Sequence, residues 1–213
     1  MIPMRSGGFY SDGGRILNLW RGGYAAQIDT ALLTAYAHLV SGMRPKAISP
    51  LLLLEALELP QESPFKGYLH NLLHHHYLDK GEMEMAAHHL EKYETYLQEI
   101  PEGYQASFWL DKAFFLAFVA RDAEAAQQAF DQARLNPAIA KSVVYRVEAA
   151  LALVHQNWEQ AHYKAEMALK ELANSIDKGS ALAQKEWVEG IGAQAREAQN
   201  QALALGTKEL PFE

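Results

Sequence analysis

The 213-residue sequence contains no cysteine. That excludes a disulfide framework, a thiol nucleophile and a cysteine-ligated zinc or iron–sulfur site. It also fits a reducing compartment. Long apolar runs are missing as well. The longest are LLLL at 51–54 and AFFLAFVA at 113–120, well short of the ~18–20 residues that cross a bilayer as a helix. The opening MIPMRSGGFYSDGG lacks the apolar stretch of a signal peptide. The expectation is a soluble, cytoplasmic chain. Alternating runs of Val, Ile and Thr are absent, and with them the signature of a sheet protein. The formal net charge of −7 argues against general nucleic-acid binding. No small-molecule substrate is indicated: RSGG and SDGG lack the lysine of a P-loop and follow no strand, and no Ser/His/Asp grouping has supporting context.

What remains is a chain of ordinary globular composition, 49% apolar and 21% charged. Its charge is unevenly placed. Residues 1–50 carry five Lys/Arg and two acids, a balance of +3, while the rest carries −10. A basic start and an acidic body suggest two parts with different surroundings.

The body is rich in Ala, Leu, Glu, Gln and Lys, the helix formers. Ser49-Pro50, Ser63-Pro64 and Asn136-Pro137 each set a capping side chain before a proline, a marker of helix starts. Helices are predicted at about 11–20, 24–41, 50–58, 64–79, 82–99, 102–120, 123–134, 138–155, 158–174 and 180–203, with ends uncertain by about 2–4 residues.

Three stretches resemble one another: YLDKGEMEMAAHHLEKY (77–93), FVARDAEAAQQAFDQAR (118–134) and LVHQNWEQAHYKAEMAL (153–169). With Gly81, Arg121 and Gln156 aligned, glutamate stands three positions on (Glu84, Glu124, Glu159) and alanine five on (Ala86, Ala126, Ala161). Leu78, Phe118 and Leu153 lie three before. The spacings of 40 and 35 residues fall in the range of helical-hairpin repeats. In such a repeat the alanine lets two helices approach near a tight turn, and stacked hairpins share a core. The pattern resembles the G-[DN]-x-[ED]-x-A turn of tetratricopeptide repeats (TPRs), although the turn glycine occurs once, as Gly81. The expected fold is therefore all-α: TPR-like antiparallel hairpins stacked as a short solenoid, preceded by a short Gly-rich segment. The competing reading is a generic helical bundle. The solenoid implies a protein partner held on a concave helical surface.

The first residues differ in kind. IPMRSGGFYSDGGRILNLWRGG has six glycines in 22 residues and one acid, Asp12. Pro3, Asp12, Gly13, Gly14, Arg15 and Leu17 resemble the second metal-binding motif of site-2 proteases, the intramembrane zinc metallopeptidases. In that family an N-x-x-P or N-P-x-P element precedes D-G and a short helix. The resemblance implies that Asp12 is a zinc ligand beside two histidines of an H-E-x-x-H helix. This chain has no H-E-x-x-H and no segment long enough to span a membrane. No cofactor is expected in the chain itself, zinc being the family's metal. The resemblance thus implies a truncated C-terminal piece whose missing partner is the transmembrane metallopeptidase segment, at the cytoplasmic face of the membrane. The alternative for Asp12 is an N-cap, with Ser11 competing for that place. The expected division is 1–24 as a motif remnant, 25–205 as the helical domain and 206–213 as a coil tail.

Nine histidines complete the inventory. His70 and His74 share a helix face, and an antiparallel hairpin about Gly81 sets His74–His75 near His88–His89. Two or three imidazoles there could bind zinc, nickel or copper, or simply pack in the core. The aromatic residues at helical spacing read as core, and Glu82, Glu84, Glu91, Glu94 and Glu99 as a solvated face. The expected function is a cytosolic helical protein-interaction domain, not proteolytic by itself. The alternative is a free-standing TPR-like adaptor without enzymatic role.

Overall fold

A computed structural model of the protein describes residues 5–6, 9–10 and 12–206. The described residues are overwhelmingly helical: α1 Asp12–Arg21, α2 Tyr24–Val40, α3 Leu51–Leu57, α4 Phe65–Lys80, α5 Met83–Thr95, α6 Glu102–Phe115, α7 Ala123–Gln132, α8 Lys141–Val154, α9 Trp158–Leu172 and α10 Lys178–Gly206. Short 3-10 turns lie at Pro45–Ala47 and Leu97–Glu99, and a π-helical turn at Leu116–Ala120 prolongs α6. A minimal antiparallel ladder pairs β1 (Arg5–Ser6) with β2 (Phe9–Tyr10), Arg5 opposite Tyr10. The expected coil tail beyond Gly206 lies outside the described residues.

The start signals fare unequally. Ser63 Oγ accepts from the Phe65 N–H at 3.3 Å, as its place before Pro64 requires. No side chain caps α3, so Ser49 does not play the expected part. Asn136 Oδ1 accepts from the Ala138 N–H at 3.0 Å, but this closes a turn, reinforced by Ile139 N–H on the Asn136 carbonyl. Ala140 is extended at ψ 129°, so α8 begins at Lys141 rather than 138.

The chain divides into two compact units, residues 1–108 with 176–183 and residues 109–175 with 184–213. In the first, α2 packs on α1, α3 and α4, and α4 packs on α5. Ile28, Leu69, Leu73, Tyr93, Ile100 and Phe108 are fully buried there. The loop after α2 is fixed by Asp79. Its carboxylate accepts from Arg44 Nε at 3.3 Å, from Arg44 Nη2, and from the Lys46 N–H at 3.1 Å. In the second unit, α8 packs on α9, and α7 packs on α8 and the π turn. Phe114 is fully buried, stacked on Phe118 and tilted against Trp187.

The three aligned segments share a left-handed pivot at the turn. Gly81, Arg121 and Gln156 all adopt the left-handed conformation, at φ 81°, 58° and 58°. Arg121 and Gln156 are the positive-φ residues other than glycine among those described. In the first turn the Gly81 N–H bonds to the Leu78 carbonyl and the Glu82 N–H to that of Tyr77. In the third, Gln156 and Asn157 bond likewise to Leu153 and Ala152. This paired closure satisfies carbonyls left free at a helix end. The middle turn differs by one residue: the Asp122 N–H reaches back to Leu116. The π turn absorbs that extra residue. Beyond each turn the alanine N–H returns to the residue after the pivot: Ala86 to Glu82, Ala126 to Asp122, Ala161 to Asn157. All three alanines are completely buried. Asp122 and Asn157 cap their helices by accepting from the Ala125 and Gln160 N–H groups. Glu84, Glu124 and Glu159 face solvent, near helix N-termini that favour negative charge.

Candidate functional site

The densest grouping of titratable side chains in the first unit is the histidine cluster of the α4–α5 hairpin. Four of its rings, His70, His74, His76 and His89, are buried; His75 is half-buried and His88 exposed. The run HHH at 74–76 places adjacent rings about 100° apart around the helix, so they serve different surroundings. His74 donates from Nδ1 to the Ala86 carbonyl at 2.8 Å. His76 donates from Nδ1 to the Pro45 carbonyl at 2.9 Å. A carbonyl only accepts, so Nδ1 of each ring bears a proton and donates. His76 Nε2 is buried without a protein hydrogen-bond partner.

His70 and His89 face each other, with Nδ1 atoms 3.0 Å apart. One ring donates and the other accepts, so the two hold opposite tautomers, and protonating both breaks the bond. Tyr77 stacks parallel on His89 at 5.3 Å, and Tyr96 lies 5.9 Å from the His70 ring. His89 Nε2 is buried without a partner. Burial, followed by the charge of neighbouring groups, pushes both rings down to about 4: His89, His88, Lys92 and Lys66 act on His70, and His88, His74 and His76 on His89. The pair is therefore neutral at pH 7. Bases that weak make poor proton-transfer catalysts near neutrality.

The sequence places His74–His75 against His88–His89. In the structure His70 bonds to His89, and His74 Nδ1 bonds to the backbone. Among the described residues no three His, Asp or Glu side chains converge as a metal site would require. A small cavity of about 20 Å³, lined by Ala35, Leu39, Ile48, Leu53, Leu72 and His76, has room for a single water. Asp12 opens α1; its side chain, on which the zinc role rests, lies outside the described residues, as does Ser11. No described helix is long and apolar enough to cross a membrane.

The second unit holds a polar pair that pattern reading missed. Arg146 Nη2 donates to Asp111 Oδ1 at 2.9 Å, both residues being buried. Its guanidinium lies over the Phe114 ring at 4.4 Å. The available signal was an arginine set among the mostly apolar residues of VVYRVEAALALV, which also holds Glu148. Comparison with protein-family models, with curated proteins and with solved structures found no match.

Proposed function

We propose that this chain is a protein-interaction scaffold built from TPR-like helical hairpins. The observation that supports it most is the threefold recurrence of one turn, with a left-handed pivot and a fully buried alanine five residues on. Such a unit orders pairs of helices without a reactive centre, and what it offers a partner is helix surface. The buried histidines fit the same reading: turned inward, His70, His74 and His89 shape the α4–α5 interface. The likeness of residues 2–24 to site-2 proteases rests on sequence. In this proposal it supplies an ancestry for the basic segment, not a catalytic step.

Exposed apolar side chains on the hairpins are the natural contact points, among them Met85 on α5, Tyr104 on α6 and Tyr163 on α9. The test is affinity capture on the immobilised chain, compared with the triple variant Met85→Ser, Tyr104→Ser, Tyr163→Ser at equal helix content by circular dichroism. A partner retained by the native chain and lost by the variant is the expected result. Identical retention by both, or none by either, contradicts the proposal.

A further inference from the structure

Helix α1 carries its apolar side chains on the outside. Trp20 is 84% exposed, Ile16 65% and Leu19 38%. These positions are three and four apart, so they form one stripe. Gly14 is buried and Leu17 half-buried, marking the other side of the helix as the one turned inward. Tyr24 is also half exposed, one turn beyond Trp20 across Gly22 and Gly23, whose φ values of 74° and 89° make a joint that only glycine forms without strain. The same stretch is basic. Residues 1–24 contain Arg5, Arg15 and Arg21 against Asp12, and Arg21 is exposed at the end of α1.

We propose that α1 is a docking element for an anionic lipid surface, with Ile16, Leu19 and Trp20 entering the headgroup boundary and Arg21 meeting lipid phosphates and carboxylates. Charge complementarity selects this occupant. Residues 1–24 carry three arginines against one acid, a balance of +2, so an anionic surface attracts this segment. Tryptophan and arginine beside aliphatic residues are the composition of helices that lie in the interface. A second copy of the chain fits less well. Three side chains on a ten-residue helix bury much less than the ~800 Å² per partner of a stable protein interface. A lipid surface needs no such matching area. This inference stands apart from the scaffold reading, since it uses none of the hairpins.

The test is co-sedimentation of the full chain with phosphatidylcholine vesicles containing 30% phosphatidylserine, roughly a cytoplasmic-leaflet charge, and with pure phosphatidylcholine vesicles. Binding to the anionic vesicles, weakened by salt, is expected. The double variant Ile16→Ser, Trp20→Ser should bind at least about tenfold less while keeping its helix content. Absence of binding to anionic vesicles, equal binding to neutral ones, or an unaffected variant overturns the proposal. So does sedimentation equilibrium showing a dimer that the variant abolishes.

Discussion

Arg146 on α8 and Asp111 on α6 form an ion pair of 2.9 Å at which neither side chain reaches solvent appreciably. Burial lowers the arginine's hold on its proton, and Asp111 opposes that by charge and hydrogen bond. Arg146 Nε is left without a partner, while Phe114 and Trp187 cover the guanidinium. A pair so placed costs much to desolvate, and half of it costs more. Arg146→Met should therefore destabilise the protein by about 3–5 kcal/mol, whereas Arg146→Met with Asp111→Leu should recover most of that loss. Urea titration of the two variants checks the order.

The histidine pair makes stability depend on pH. His70 and His89 titrate near 4 in the fold and near 6.5 when unfolded. Between those values the unfolded chain takes up protons that the native chain refuses. Their contribution is thus complete above pH 6.5, declines as pH falls toward 4, and is constant below. No carboxylate is among the groups that shift either ring. His70→Leu with His89→Leu should flatten the slope of stability between pH 6.5 and 5, measured by urea midpoints.

Gly179 permits a backbone contact. A Cβ placed on it would overlap the Met43 carbonyl oxygen, whereas one on Gly190 meets nothing within 4 Å. Both lie in α10. Gly179→Ala should cost at least about 1–3 kcal/mol by forcing the segments apart. Gly190→Ala should add about 0.5–1 kcal/mol through helix propensity alone. Thermal melting of the two variants distinguishes contact from propensity.

The turn alanines are close-approach points. Ala126 and Ala161 are wholly buried, so a branched side chain has no room without moving a helix. Ala126→Leu and Ala161→Leu should each destabilise by about 1–3 kcal/mol. Ala173, exposed at the end of α9, should accept leucine with less than about 0.5 kcal/mol of change. Chemical denaturation compares them.

Much of the helical layout was legible because helix formers, prolines and turn residues mark it out. The alignment of Gly81 with Arg121 and Gln156 carried most, since it rested on Glu84 and Ala86 recurring at fixed offsets. The π turn was not legible, because an extra residue inside AFFLAFVA leaves the apolar pattern unbroken. Nor was the start of α8: Asn136-Pro137 has the composition of a cap, and only its hydrogen bond to Ala138 shows that it closes a turn instead. For the cluster, spacing brought the right helices together and named both rings of the His70–His89 pair, but not their contact. His89 bonds to His70, while the His74 Nδ1 is held by the Ala86 carbonyl, and a backbone acceptor leaves no trace in the sequence.

The equivalence of the three turns is tested most directly at Gln156. A non-glycine residue at φ 58° holds a conformation that costs L-residues about 1–2 kcal/mol. Arg121 is a poorer probe, since its side chain also binds Gln194 and covers Phe118. Urea unfolding of Gln156→Gly and Gln156→Val gives the answer. If Gln156 pivots as Gly81 does, the glycine variant gains about 0.5–1 kcal/mol and the valine variant loses about 1 kcal/mol or more. Equal stabilities, or a valine variant more stable than the glycine one, would contradict it.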